Sequence, residues 1–124
     1  MDSFTPEGDS IIDFSDINTA VERYQLAAEK RLQGDPAQQL QNHYSSDCDQ
    51  FHAGVWQGDI GRWKVCYSEH EYCEILSGAS VVTDSIGNQT TVKAGDRFVI
   101  PAGFVGTWES VTAVTKIYAV FEPS

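Results

Sequence analysis

The residues best suited to chemistry cluster between Trp63 and Glu74. Trp63, Val65 and Tyr67 alternate with Arg62, Lys64 and Cys66, the period-two pattern of a half-buried strand. The aromatic set should face inward. In the next run, Glu71, Cys73 and Ile75 share one face, and Tyr72 and Glu74 share the other. If Ile75 faces a core, Glu71 does too. An inward carboxylate is expensive to desolvate unless partnered, so Glu71 is the most informative acid in the chain. Cys66-x3-His70-x2-Cys73 has the look of a metal cluster. The faces argue against it: Cys66 points out, Cys73 points in, and His70 lies in the turn between strands. Cys73 as a nucleophile would want an electropositive neighbourhood, and its neighbours are acids. His43 and His52 read as partly exposed, with His52 a candidate for the border of a pocket. No Gly-x-Ser-x-Gly elbow, phosphate loop or dinucleotide glycine fingerprint is present.

The elements that must position these residues are mostly strands. Residues 1–14 read as an acidic arm with one short strand at its end. From Asp16 to Leu32 the pattern is helical: Val21, Tyr24, Ala28 and Leu32 fall on one face. Thr19 and Glu22 have capping-box spacing, and Gly34 and Pro36 provide the stop. After Pro36 the period shortens to two, and short Val/Ile/Thr/Tyr/Trp runs alternate with glycine turns. That pattern predicts an all-β sandwich or barrel. The division is therefore residues 1–36, an N-terminal acidic arm and one helix, and residues 37–124, a barrel.

The chain has 124 residues, enough for one domain with a self-sufficient core. Its net charge is −10, which argues against nucleic acid and anionic membrane surfaces as partners. The charge is uneven: residues 1–60 hold 11 acids and 3 bases, residues 61–124 hold 7 acids and 5 bases. An apolar run long enough to span a bilayer is absent. The start, Met1-Asp2-Ser3-Phe4, is not a secretory signal, and three cysteines are an odd count. Together these point to a reducing cytoplasm.

The stretch Gly61 to Trp108 resembles the cupin superfamily, small double-stranded β-helix (jelly-roll) barrels defined by two motifs. Glu71 and Gly78 match the end of the first, and Gly95 through Pro101-Ala102-Gly103 matches the second. The segments 52–56, 61–65 and 100–109 look like the small cupin-3 branch. That branch is named for resemblance to ureidoglycine aminohydrolase cupin domains and includes ethanolamine-utilisation cupins. The resemblance covers about residues 48–121. It implies a metal held by three histidines and the glutamate, yet the histidine positions fall on Val65, Tyr67 and Gly106. Only Glu71 remains, so no bound metal or other cofactor is expected.

A cupin-like barrel would be lined by Trp63, Val65, Tyr67, Glu71, Cys73 and Trp108, with Phe104, Lys116 and Tyr118 joining them and Trp56 at the mouth. The resemblance thus implies an aromatic pocket for a small-molecule ligand. In one reading Glu71 is a general acid or base, Tyr67 positions the substrate and Lys116 binds an anionic group. In the other, Glu71 pairs with Tyr67 or Lys116 and the rings fill a core. Two rival functions stand beside metabolite binding: a metal-dependent aminohydrolase-like enzyme with non-standard ligands, and an interaction module without a ligand. Outward Tyr72 and Leu76 suggest a surface for a homodimer.

Overall fold

A computed structural model describes residues 10–123. Eleven strands form two antiparallel sheets: β1 (Glu22–Gln25), β2 (Arg31–Gln33), β3 (Ala37–Ser45), β4 (Phe51–Gly58), β5 (Gly61–Cys66), β6 (His70–Ser77), β7 (Ala79–Asp84), β8 (Gln89–Lys93), β9 (Arg97–Ile100), β10 (Val105–Ser110) and β11 (Val114–Phe121). One sheet runs β1-β3-β4-β11-β6-β9 and the other β2-β5-β10-β7-β8. This is the expected all-β jelly roll. The core between the sheets gathers Trp56, Trp63, Cys73, Ile75, Val82, Val92, Ile100, Trp108, Val114 and Tyr118. The period-two pattern produces it directly, because alternate residues of each strand reach the space between the sheets. No helix among the described residues is long and apolar enough to cross a membrane.

The helix expected over Asp16 to Leu32 does not form. Only a 3-10 turn occurs there, over Ala28–Lys30, flanked by β1 and β2. The apolar stripe that suggested it has no surface to pack on: Val21, Tyr24 and Leu32 keep about two-fifths of their area exposed (42%, 39% and 40%). A short helix in water is marginal without a buried face, whereas an open strand edge offers backbone partners at once. Accordingly Glu22–Gln25 pairs with the edge of β3, Tyr24 opposite Gln38, and Arg31 pairs with Trp63 of β5. Gln41 Nε2 donates to the Thr19 carbonyl (3.0 Å), and Leu26 packs against the core. The strand expected at the end of the 1–14 arm is absent from residues 10–14, where Phe14 stacks on the His43 ring; residues 1–9 lie outside the described residues.

The motif glycines turn the chain as expected: Gly78, Gly95 and Gly103 all have φ between +86° and +93°. Their surroundings differ. A Cβ at Gly78 would strike the Ala113 carbonyl, while one at Gly95 would meet open space. Gly95→Ala should therefore cost only the left-handed penalty, about 1–2 kcal/mol. Gly78→Ala should cost distinctly more, because the backbone of the 111–113 loop must also move. Urea unfolding of the two variants checks this, and equal losses would refute it.

Candidate functional site

The inward faces of β3, β4, β5, β6, β10 and β11, with the N-terminal segment, line an open-mouthed cavity of about 640 Å³. β5 contributes Trp63 and Val65, with Tyr67 following its end; β6 contributes Glu71; β10 contributes Trp108; β11 contributes Lys116, Tyr118 and Val120. The registers explain the meeting. Lys116 lies directly opposite Trp56 on β4 and Ile75 on β6, and Trp108 lies opposite Trp63.

At the cavity wall the Lys116 ammonium meets the Glu71 carboxylate, Nζ to Oε2 at 2.9 Å, with both side chains under a tenth exposed. The same ammonium sits over two indoles, 4.5 Å from the Trp108 ring centre and 5.0 Å from that of Trp56. These indoles are themselves held. Trp56 Nε1 donates to Gln38 Oε1 (2.8 Å), and Trp108 Nε1 donates to Ser110 Oγ (3.3 Å). Trp56 also meets Trp108 edge-on at 5.9 Å and Trp63 at 6.2 Å. Tyr118 donates its hydroxyl proton to Asn42 Oδ1 (2.7 Å).

Burial by itself disfavours the Lys116 ammonium, but the Glu71 carboxylate, with Tyr67 and Cys73 adding to it, outweighs burial and holds the lysine pKa above its ordinary range. Lys116 is therefore a fixed cation at neutral pH. Burial pushes the Tyr67 phenol up, with Lys116 pulling the other way and Glu71 adding to the rise. Burial likewise pushes the Cys73 thiol up to about 12, so it is not a nucleophile near neutral pH.

The structure brings together most of the residues singled out from sequence. Glu71, Tyr67, Trp63, Trp108, Lys116 and Tyr118 line the cavity, as does His52. Cys73 shares their face but is completely buried behind the wall. Phe104 stands against Tyr67, edge-on at 6.1 Å, and outside the lining. His70 is the first residue of β6 rather than a turn residue, and its Nδ1 accepts from the Ala102 N–H (3.1 Å). Sequence reasoning missed Gln38, Leu40 and Asn42 of β3, and Tyr24, Leu26 and Lys30 of the N-terminal segment. The alternation Gln38, Leu40, Asn42 was a signal for the first three. Tyr24 has the spacing of a helix face, and only the β1–β3 pairing turns it toward the cavity.

Residues 45–118 match the family model described as the EutQ-like cupin domain. The chain belongs to this cupin-3 family. No curated protein matches it in sequence. Among solved structures it is similar to a protein of unknown function from Pseudomonas syringae pv. tomato (TM-score 0.75, 21% identity). That match covers 83% of this chain and 45% of the other, so the chain spans less than half of that protein. It is also similar to a putative ethanolamine utilisation protein Q from Salmonella typhimurium (0.62, 24%, 70% of this chain and 71% of that one). A third likeness is to the EutQ protein of Clostridium difficile (0.64, 12%, 80% and 81%). At these identities the structures share the cupin fold.

A metal in this cupin would draw on positions 65, 67, 71 and 106. Val65 has no donor and burial keeps the Tyr67 phenol protonated. Gly106 has no side chain and no room for one, because a Cβ there would run into the Thr83 carbonyl of β7. Glu71 already holds an ammonium. Among the described residues no three His, Cys, Asp or Glu side chains gather as ligands. The residues do not fit a histidine-bound divalent metal.

Lys116→Met should destabilise the fold by about 3–5 kcal/mol at pH 7, since it strands a buried carboxylate. Adding Glu71→Leu to Lys116→Met should recover most of that loss. Denaturant unfolding of the single and double variants measures this. Additive losses would show that the pair is not coupled.

Proposed function

We propose that this cupin binds a small metabolite in its barrel cavity, with the aromatic walls holding the apolar body and the Glu71–Lys116 pair holding a polar group. The observation that carries this reading is the placement of a buried, complete ion pair on the wall of an aromatic cavity. Apolar walls with a few placed polar groups are the usual design of a small-molecule site, and about 640 Å³ is within the usual size. The lining holds three acids (Glu22, Glu69, Glu71) and three lysines (Lys30, Lys64, Lys116), so it favours a ligand without large net charge. If the ligand is turned over, Glu71 is the acid/base group and the reaction is a metal-independent proton transfer or hydrolysis. Such chemistry departs from the metal-dependent aminohydrolase resemblance. Free Cys48, Cys66 and Cys73 support a reducing compartment.

All three tryptophans of the chain, Trp56, Trp63 and Trp108, line the cavity. Intrinsic fluorescence is therefore a direct reporter of occupancy. A screen of small neutral and zwitterionic metabolites should find compounds that change it saturably and raise Tm. Tyr67→Phe and Glu71→Gln should weaken those compounds at least tenfold. A folded protein whose fluorescence no compound perturbs would overturn the reading.

The same proposal includes a homodimer. The outer face of the β3-β4-β11-β6-β9 sheet aligns Tyr44, Ala53, Ala119, Tyr72 and Val99 in one cross-strand row, flanked by Phe51 and Phe121. Tyr44, Phe51, Tyr72, Val99 and Phe121 are all exposed, and Leu76 is 46% exposed beside them. Glu74, the one acid of this face, stands opposite Arg97, so a second copy of a strongly acidic chain meets no net repulsion here. Light scattering at micromolar concentration should give a dimer mass, and Tyr72→Lys with Val99→Lys should give a monomer. A monomeric wild type would refute it.

A further inference from the structure

The surroundings of Lys116 have the chemistry of a receptor for a cation. Glu71 supplies an anionic oxygen at 2.9 Å, and Trp56 and Trp108 supply two ring faces within 5.0 Å of the nitrogen. A carboxylate with indole faces is the combination that recognises alkylammonium groups. The walls are built before the cation is considered, because Gln38 and Ser110 fix the two indole N–H groups. The Glu71 backbone is fixed by its pairing with Ile100 and Val120 on both sides of β6. The two indole N–H groups are already satisfied, and besides the Glu71 carboxylate the Tyr67 hydroxyl and Cys73 thiol also favour a cation at this point.

We propose that this box is a built alkylammonium site whose resident cation is the chain's own Lys116, standing where the residues do not fit a metal ion. The lysine reaches in from β11 and delivers its nitrogen to Glu71 over both rings. The cation needs no loading and does not exchange with solution. It stands beside Glu71 as a built-in counter-charge. Any ligand oxygen reaching the pair then meets an N–H donor beside a carboxylate. The disagreement between the fold family's usual ligands and this chain thus has a physical content: one positive charge is kept, and its source is a side chain. This proposal goes beyond metabolite binding and does not require it.

The test uses the full chain. Lys116→Ala removes three carbons and the nitrogen, so n-propylammonium is the matching probe. Titrating n-propylammonium chloride into Lys116→Ala should raise Tm and restore the wild-type tryptophan emission saturably. Sodium chloride and n-propanol should do neither. The Lys116→Ala/Glu71→Gln double variant should lose the response, and Lys116→Met, whose side chain fills the box, should show none. A folded Lys116→Ala that n-propylammonium leaves unchanged would overturn the proposal. If Lys116→Ala does not fold by itself, refolding it with n-propylammonium should recover soluble protein, and failure to do so counts equally against the site. The wild type gives an independent readout. Its 15N-lysine spectrum should contain one slowly exchanging ammonium signal, displaced by the two rings and lost in Glu71→Gln. Absence of that signal, or stoichiometric binding of Zn2+, Mn2+ or Ni2+ that alters tryptophan emission, would refute it. None of these measurements uses a metabolite, so a cavity that binds no metabolite leaves them untouched. Their failure alongside intact metabolite binding would sink the cation site alone.

Discussion

Two opposite charges, on Glu71 and Lys116, are buried 2.9 Å apart between the sheets, and much of the interior is arranged around them. Neither charge could be held there alone, because an isolated buried ion loses far more hydration than packing returns. β6 and β11 are neighbours, with Glu71 opposite Val120 and Lys116 opposite Ile75, so the two side chains meet by reaching toward each other along the shared inner face. Trp56 and Trp108 then cover the ammonium with ring faces. That arrangement requires partners for both indole N–H groups, and Gln38 and Ser110 are buried for this purpose. A polar glutamine in the core, otherwise an anomaly, follows from the need to keep Trp56 in place.

The pair also explains how an acidic protein can have a balanced cavity. Most of the surplus acid lies in the first half of the chain, and the described acids there, from Asp13 to Asp59, are exposed. The cavity lining has equal numbers of acids and lysines. Global charge and site charge are thus separate properties here. The first concerns solubility and excluded partners, and the second concerns what the cavity can hold.

The N-terminal segment changes its meaning in the tertiary structure. By periodicity it has the spacing of an amphipathic helix. In the fold it is a strap that extends both sheets through β1 and β2 and contributes Tyr24, Leu26 and Lys30 to the cavity wall. Burial raises the Tyr24 phenol pKa, with Trp56 and Lys116 acting in the opposite sense, which places the strap within electrostatic reach of the pair. Without it the mouth of the barrel would lose one side.

Several features were legible from the residues alone. Alternation in 62–67 and 71–76 assigned Trp63, Tyr67, Glu71 and Cys73 to the interior, because side-chain direction in a strand is local and has period two. Glycines at 78, 95 and 103 marked the turns, because only glycine takes positive φ freely. The absence of histidine at 65, 67 and 106 was plain as well. Three things needed the tertiary structure. Glu71 and Lys116 are 45 positions apart, and only the adjacency of β6 and β11, with both side chains on the inner face, turns two candidate charges into one pair. Gly106 reads as a missing ligand, but the approach of Thr83 from β7 shows that no side chain fits there. The segment 16–32 has helical spacing, yet the vacant edge of β3 decides its conformation. Local pattern sets which way a side chain points; the partner it meets depends on strands distant in sequence, whose register no local period contains.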